Sequence, residues 1–153
     1  MKKDSRSTLI LIADDDSDDR MMALDAFREN RLTNELRFVE DGQELMDFLR
    51  RKGRYTGLAG LPLPALILLD LNMPKKDGRE ALKEIKADPA LRRIPIVVMS
   101  TSKEEEDIYR AYDLGVSSFI TKPASFESLV EIVKSLADYW FDVVELPGGD
   151  TRH

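Results

Sequence analysis

Short, strongly apolar runs alternate along this chain with longer stretches in which apolar residues recur every three or four positions. "TLILIAD" reads as a buried strand. "SDDRMMALDAFREN" behind it reads as a helix, with Ser17 as N-cap, acidic residues in its first turn, and an inward stripe of Met21, Met22, Leu24 and Phe27. "ELRFVE" alternates as a second strand, and "DGQELMDFLRRKG" is a helix with Leu45, Phe48 and Leu49 inward and Gly53 as its stop. The Gly and Pro content of "RYTGLAGLPLP" predicts a loop. "ALILLD" is the near-continuous apolar run of a central parallel strand covered on both faces. The turn "LNMPKKDG", the helix "REALKEIKADP", the strand "IPIVVMS", the helix "KEEEDIYRAYDLG" and the shorter strand "VSSFIT" follow. "KPASFESLVEIVKSLADYW" opens on a proline and runs into a long helix.

Five strand-then-helix units predict an α/β fold: a doubly wound, five-stranded parallel sheet with helices on both faces and right-handed crossovers. The expected organisation is a flexible N-terminus over 1–7, one domain over 8–138, and a C-terminal extension and tail over 139–153, with no second domain.

Four of the five strands end in a chemically useful residue. The first runs into Asp14 and Asp15, the third into Asp70, the fourth into Ser100 and the fifth into Lys122. In open α/β sheets sites form beyond the carboxyl ends of the strands, where the strand order reverses. An order of 2-1-3-4-5 makes the first and third strands neighbours, so the three carboxylates converge. Ser100 then lies one ~4.8 Å strand spacing from Asp70, and Lys122 two, within a lysine's reach. Three carboxylates in one cleft call for a hard divalent cation with oxygen ligands, Mg²⁺ above all, plus an ammonium. An aspartate held beside Mg²⁺ and a lysine is also a nucleophile for phosphoryl transfer, and a hydroxyl such as that of Ser100 can bond the new phosphoryl oxygens.

Composition narrows the field. The net charge of −6 argues against non-specific nucleic-acid binding, which needs a positive face. The absence of cysteine excludes disulfides and thiolate metal sites. The only histidine is His153, so an internal histidine base or a multi-histidine metal site is excluded. "MKKDSRS" lacks the apolar core of a signal peptide, and no run approaches the ~18 apolar residues of a membrane span. A cytoplasmic protein without a membrane partner fits.

The carboxylates have blander readings. Asp16, Asp18 and Asp19 fall in a first helical turn, where acidic residues are solvated and favourable, and they are assigned to that role. The D-x-D-x-D spacing hints at an EF-hand, but its sixth position is Asp19 instead of Gly, its twelfth is Asp25 instead of Glu, and a strand precedes it.

In order at successive strand ends, "ADDDS", "LLDLNMPKKDG", "VVMSTS" and "FITKPAS" resemble the receiver domain of bacterial response regulators over about Thr8 to Leu136. The resemblance implies a flavodoxin-like fold with strand order 2-1-3-4-5. It implies that Asp70 is the phosphoacceptor. Asp15 would be a direct Mg²⁺ ligand, Asp14 would hold the metal mainly through water, and Asn72 would offer its backbone carbonyl. Ser100 and Lys122 would meet the phosphoryl group, Phe119 would be the rotating aromatic of the fifth strand, and the Lys122–Pro123 bond is often cis in such proteins. Lys75 and Thr101 would flank the mouth of the site. The expected donor is a sensor histidine kinase. The loop before the third strand and the ending "SLADYWFDVVELP" resemble single-domain regulators that accompany bacterial phytochromes.

Phe126, Leu129, Val133, Leu136, Trp140 and Val143 form an a/d-like stripe that docks the last helix on the sheet. Tyr139, Trp140, Phe141, Val144 and Leu146 are expected at a homodimer interface that also uses the fourth helix and fifth strand. The competing reading is a haloacid-dehalogenase-type hydrolase, with an aspartate nucleophile after the first strand and a late acidic pair. No acidic residue follows Lys122 at a strand end, since Asp138 and Asp142 lie on or after the last helix. A receiver-like domain that is never phosphorylated is the third reading, and its usual mark, loss of one of these residues, is absent. The expectation is therefore a signalling module that modifies itself and turns over no metabolite.

Overall fold

The computed structural model describes residues 9–101 and 105–138. The expected dimer residues Tyr139, Trp140, Phe141, Val144 and Leu146 lie outside the described residues, as does the N-terminal segment.

Five parallel strands form one sheet in the order β2-β1-β3-β4-β5, as expected. They are β1 (Ile10–Ala13), β2 (Leu36–Val39), β3 (Leu66–Leu69), β4 (Ile96–Ser100) and β5 (Ser118–Thr121). The helices are α1 (Ser17–Glu29), α2 (Gly42–Arg50), α3 (Gly78–Ala87), α4 (Glu105–Asp113) and α5 (Phe126–Ala137). β1 and β3 are buried along their whole length, which is why both read as unbroken apolar runs. Their side chains alternate between two cores. Leu11, Ala13, Ile67 and Leu69 pack with α2, α3 and α4 on one face. Ile10, Ile12, Leu66 and Leu68 pack with α1 and α5 on the other.

Three local expectations are corrected. Asp16, not Ser17, is the N-cap of α1, and its carboxylate accepts from the N–H groups of Asp18 and Asp19. The buried face of α1 is Ala26 and Phe27 with Ala23 beside them, while Met21 is 58% exposed and Met22 is exposed as well. Of the expected stripe, Phe27 is in the core and Leu24 is partly buried, while the two methionines lie at the surface. The segment Gly53–Leu58, expected as loop, is a 3₁₀ helix, and α2 is capped two residues before it by Arg51 in the left-handed conformation (φ 57°). Every described peptide bond is trans, Lys122–Pro123 included.

Candidate functional site

Continuation of the sheet ladder places the acidic residues. The Asp14 N–H donates to the Val39 carbonyl, and the Asp70 N–H to the Ala13 carbonyl, at 3.0 Å each. Both aspartates therefore leave the sheet at the same level on neighbouring strands. Tight turns then aim them. Asp14 Oδ1 accepts from the Asp16 N–H at 3.0 Å, and Asp70 Oδ1 from the Asn72 N–H at 2.9 Å. The turn after Asp70 depends on Gly78, whose N–H donates to the Leu71 carbonyl at 2.9 Å. A Cβ on Gly78 would lie 2.4 Å from the Asp70 carbonyl oxygen, too close for any other residue. Gly42 braces the same loop from α2, since a Cβ there would sit 1.9 Å from the Lys76 carbonyl oxygen.

One carboxylate oxygen from each of Asp14, Asp15 and Asp70 lies within 4.8 Å of the others. Asp14 and Asp70 are buried and Asp15 is exposed. Lys122 reaches across from the end of β5, where its N–H continues the ladder to the Ser100 carbonyl at 2.9 Å. Its Nζ stands 2.9 Å from both Asp14 Oδ2 and Asp70 Oδ2. It also donates to Asp19 Oδ2 at 2.7 Å.

Asp19 corrects the sequence reading, which assigned it to a solvated helix start. With Asp16 as N-cap, Asp19 occupies the third helical position, whose side chain reaches back over the cap toward the end of β1. That displaced cap was the signal that could have found it. Asp16 and Asp18 keep their helix-start role.

The electrostatics follow from this crowding. Burial pushes the Asp14 carboxyl above its ordinary value, and the Asp70 charge adds to the rise, outweighing the opposing bonds from Lys122 and the Asp16 N–H. Lys122 loses hydration too, yet its bonds to Asp19, Asp14 and Asp70 carry its amine well above the usual range. Three carboxylates thus contact one charged ammonium, with that of Asp15 beside them. The donor set, hard, anionic and convergent, fits a divalent cation.

The other expected residues fall around this cluster. Ser100 is fully buried, and its Oγ accepts from Asn72 Nδ2 at 3.3 Å. Thr101 Oγ1 accepts from the same amide nitrogen at 3.4 Å. Lys75 is turned toward α2, its Nζ 3.7 Å from Asp41 Oδ2, on a left-handed backbone (φ 63°). Phe119 is half-buried against the core on the α2, α3 and α4 face. Its N–H donates to the Tyr112 hydroxyl at 3.0 Å, tying β5 to α4. Arg79, at the start of α3, is a second residue the sequence reading passed over. It bridges Asn72 and Asp107.

The response regulator receiver domain model matches residues 10–134, nearly the whole described chain. The chain belongs to the response regulator receiver family. The response regulator Rcp1 of Synechocystis sp. is 40% identical over 139 residues, covering 91% of this chain and 92% of Rcp1. Among solved structures, the phosphorylated cyanobacterial phytochrome response regulator RcpA is 44% identical with a TM-score of 0.84, over 93% of this chain and 99% of that one. The Mn²⁺-bound form of Rcp1 is 40% identical with a TM-score of 0.82, over 91% and 98%. This receiver domain therefore shares the flavodoxin-like architecture of its relatives. Among its described residues no helix is long and apolar enough to cross a membrane.

Proposed function

We propose that Asp70 accepts a phosphoryl group from the phosphohistidine of a sensor histidine kinase, with Mg²⁺ as the metal, in a cytoplasmic pathway that a phytochrome feeds. The observation that carries this reading is Lys122 Nζ at 2.9 Å from Asp70, on the rim that also holds Asp14 and Asp15. A carboxylate oxygen of Asp70 attacks phosphorus. The new O–P bond forms as the P–N bond breaks, and the electron pair returns to the imidazole nitrogen. Mg²⁺, held by the carboxylates of Asp14, Asp15 and Asp70 and the backbone carbonyl of Asn72, would neutralise charge on the phosphoryl oxygens. Lys122 trades carboxylate partners for a phosphoryl oxygen, and the Ser100 hydroxyl donates to another. Phe119 is the aromatic that responds on β5. Water later attacks phosphorus, releasing inorganic phosphate and restoring the Asp70 carboxylate.

The phytochrome link rests on RcpA, a cyanobacterial phytochrome response regulator by its description, at 44% identity over 93% of this chain. The hydrolase reading has nothing comparable to support it.

The test is incubation with acetyl phosphate and Mg²⁺, followed by mapping of the acyl phosphate by mass spectrometry. Label on Asp70 is the expected result. Label on Asp14 would favour the hydrolase, and absence of label on either would overturn the reading. Transfer from a phosphorylated bacterial phytochrome kinase, faster than from unrelated kinases, is the expected outcome for the partner.

A further inference from the structure

Arg79 lies in the first turn of α3 and shares one guanidinium among three elements. Nε and Nη2 grip Asp107 of α4 at 2.9 and 2.7 Å, a two-pronged bond. Nη1 donates to Asp77 Oδ2, on the N-cap of α3, at 3.1 Å. Nη1 and Nη2 both point at Asn72 Oδ1, at 3.4 Å each. The Asp107 carboxylate holds this guanidinium charged, its affinity for the proton raised further above an arginine's ordinary value.

That sharing fixes the Asn72 amide. Only its oxygen can face a guanidinium, so its nitrogen must face Ser100 and Thr101, as observed. The backbone N–H of the same residue bonds Asp70 Oδ1 at 2.9 Å. A continuous chain of contacts therefore runs from Asp70 through Asn72 and Arg79 to Asp107, and reaches α4 without using the segment that joins β4 to α4.

We propose that Arg79 is the positioning residue that reports the state of the phosphoacceptor to α4, through Asn72 on one side and Asp107 on the other. The proposal rests on phosphorylation of Asp70. A phosphoryl group there brings several strong acceptor oxygens within reach of the Asn72 amide nitrogen and the Ser100 hydroxyl. The amide turns to meet them, its oxygen leaves the guanidinium, and the grip of Arg79 on Asp107 is reset. Linkage makes the effect reciprocal: whatever alters the Arg79 contact to α4 also alters how favourable phosphorylation of Asp70 is at equilibrium.

Hydrogen exchange of α4 amides, with and without phosphorylation by acetyl phosphate and Mg²⁺, reads this directly. In the wild-type chain, phosphorylation is expected to raise α4 exchange about five-fold or more, the lower end of ordinary coupling. Arg79→Gln and Asp107→Asn are expected to exchange fast before phosphorylation and to change little after it. Arg79→Lys separates coupling from a plain ion pair, because an ammonium can satisfy Asp107 but lacks the fork that also orients Asn72. It is expected to keep slow basal exchange while losing the phosphorylation-dependent rise. Wild-type protein labelled on Asp70 with α4 unchanged would overturn the proposal, as would full coupling in either Arg79 variant. Wild-type protein that takes no label on Asp70 would instead overturn the function on which it rests.

Discussion

Two charged clusters in this molecule differ in balance, one net negative and the other neutral. At the carboxyl rim of the sheet, Asp14, Asp19 and Asp70 share one amine, that of Lys122, and the Asp15 carboxylate stands beside Asp14 and Asp70. In the seam between α2 and α3, Glu84 and Asp88 are matched by Lys76 and Arg50. The carboxylates respond in opposite directions. A hydrogen bond from Lys76, with the charges of Lys76 and Arg50 behind it, pulls Glu84 below its ordinary pKa despite some desolvation. Burial pushes Asp14 above its own. Glu84 is therefore more favourable charged in the folded chain than in the unfolded one, and Asp14 is less so. The unbalanced rim leaves negative charge that a divalent cation would offset. Charge deficit, not charge density, separates a site from a structural ion-pair network.

The largest blow to this contrast is removal of the rim's one amine. Lys122→Met leaves buried carboxylates with no fixed counter-charge, so metal-free stability is expected to fall by about 3 kcal/mol. Saturating Mg²⁺ is expected to restore much of it. Urea unfolding with chelator and with Mg²⁺ measures both, and a variant as stable as wild type in chelator would refute the deficit. Next comes the metal itself. A cation that binds only the folded rim stabilises by about 2.7 kcal/mol at a hundred times its dissociation constant. In Asp15→Asn that increment is expected to shrink sharply while the metal-free stability holds, because Asp15 is exposed.

The rim was legible in the sequence where a polar residue directly ends an apolar run, as Asp14, Asp70, Ser100 and Lys122 do. The ladder carries such residues to one edge whatever the loops do. Strand alternation and burial were legible for the same reason. Convergence also required the strand order, which spacing alone does not dictate and the family resemblance supplied. What escaped depended on one-residue shifts or on tertiary contacts. With the α1 cap at Asp16 instead of Ser17, Asp19 reaches the site, and Ala26 and Phe27 are buried where Met21 is exposed. Arg79 escaped because a lone arginine in a first helical turn has no sequence signal for its partner 28 residues away.

A subtler test uses pH. A carboxyl whose pKa is raised by folding binds more protons folded than unfolded. Its contribution to stability therefore falls as pH climbs above 3.8, the unperturbed value, through the raised one. Asp14→Asn removes that titration but keeps an oxygen for the Asp16 N–H. Relative to wild type in chelator, the variant is expected to gain stability as pH rises through this window. At neutral pH the gain is expected to be about 2–4 °C in Tm, the scale of a 1 kcal/mol change in a chain of this size. Mg²⁺ is expected to reverse the ranking, since the variant has lost a carboxylate ligand. An equal Tm difference at all pH values would place the strain elsewhere.

The smallest expected effect comes from the balanced cluster, and its sign is opposite. Glu84 has a depressed pKa, so its contribution is fully present above the unperturbed value of 4.5 and is lost as pH falls through the folded one. Its side chain is 32% exposed, which keeps the ion pairs with Lys76 and Arg50 well hydrated. Glu84→Gln is thus expected to cost only about 0.5 kcal/mol at neutral pH, nothing in strong acid, and the same with or without Mg²⁺. That last equality is what gives the measurement its value. Glu84 and Asp14 differ little in type, yet only the rim residue should couple to a divalent ion. A Glu84→Gln stability loss that moved with Mg²⁺ would mean the seam shares the rim's field, and the division between an open site and a closed network would fail.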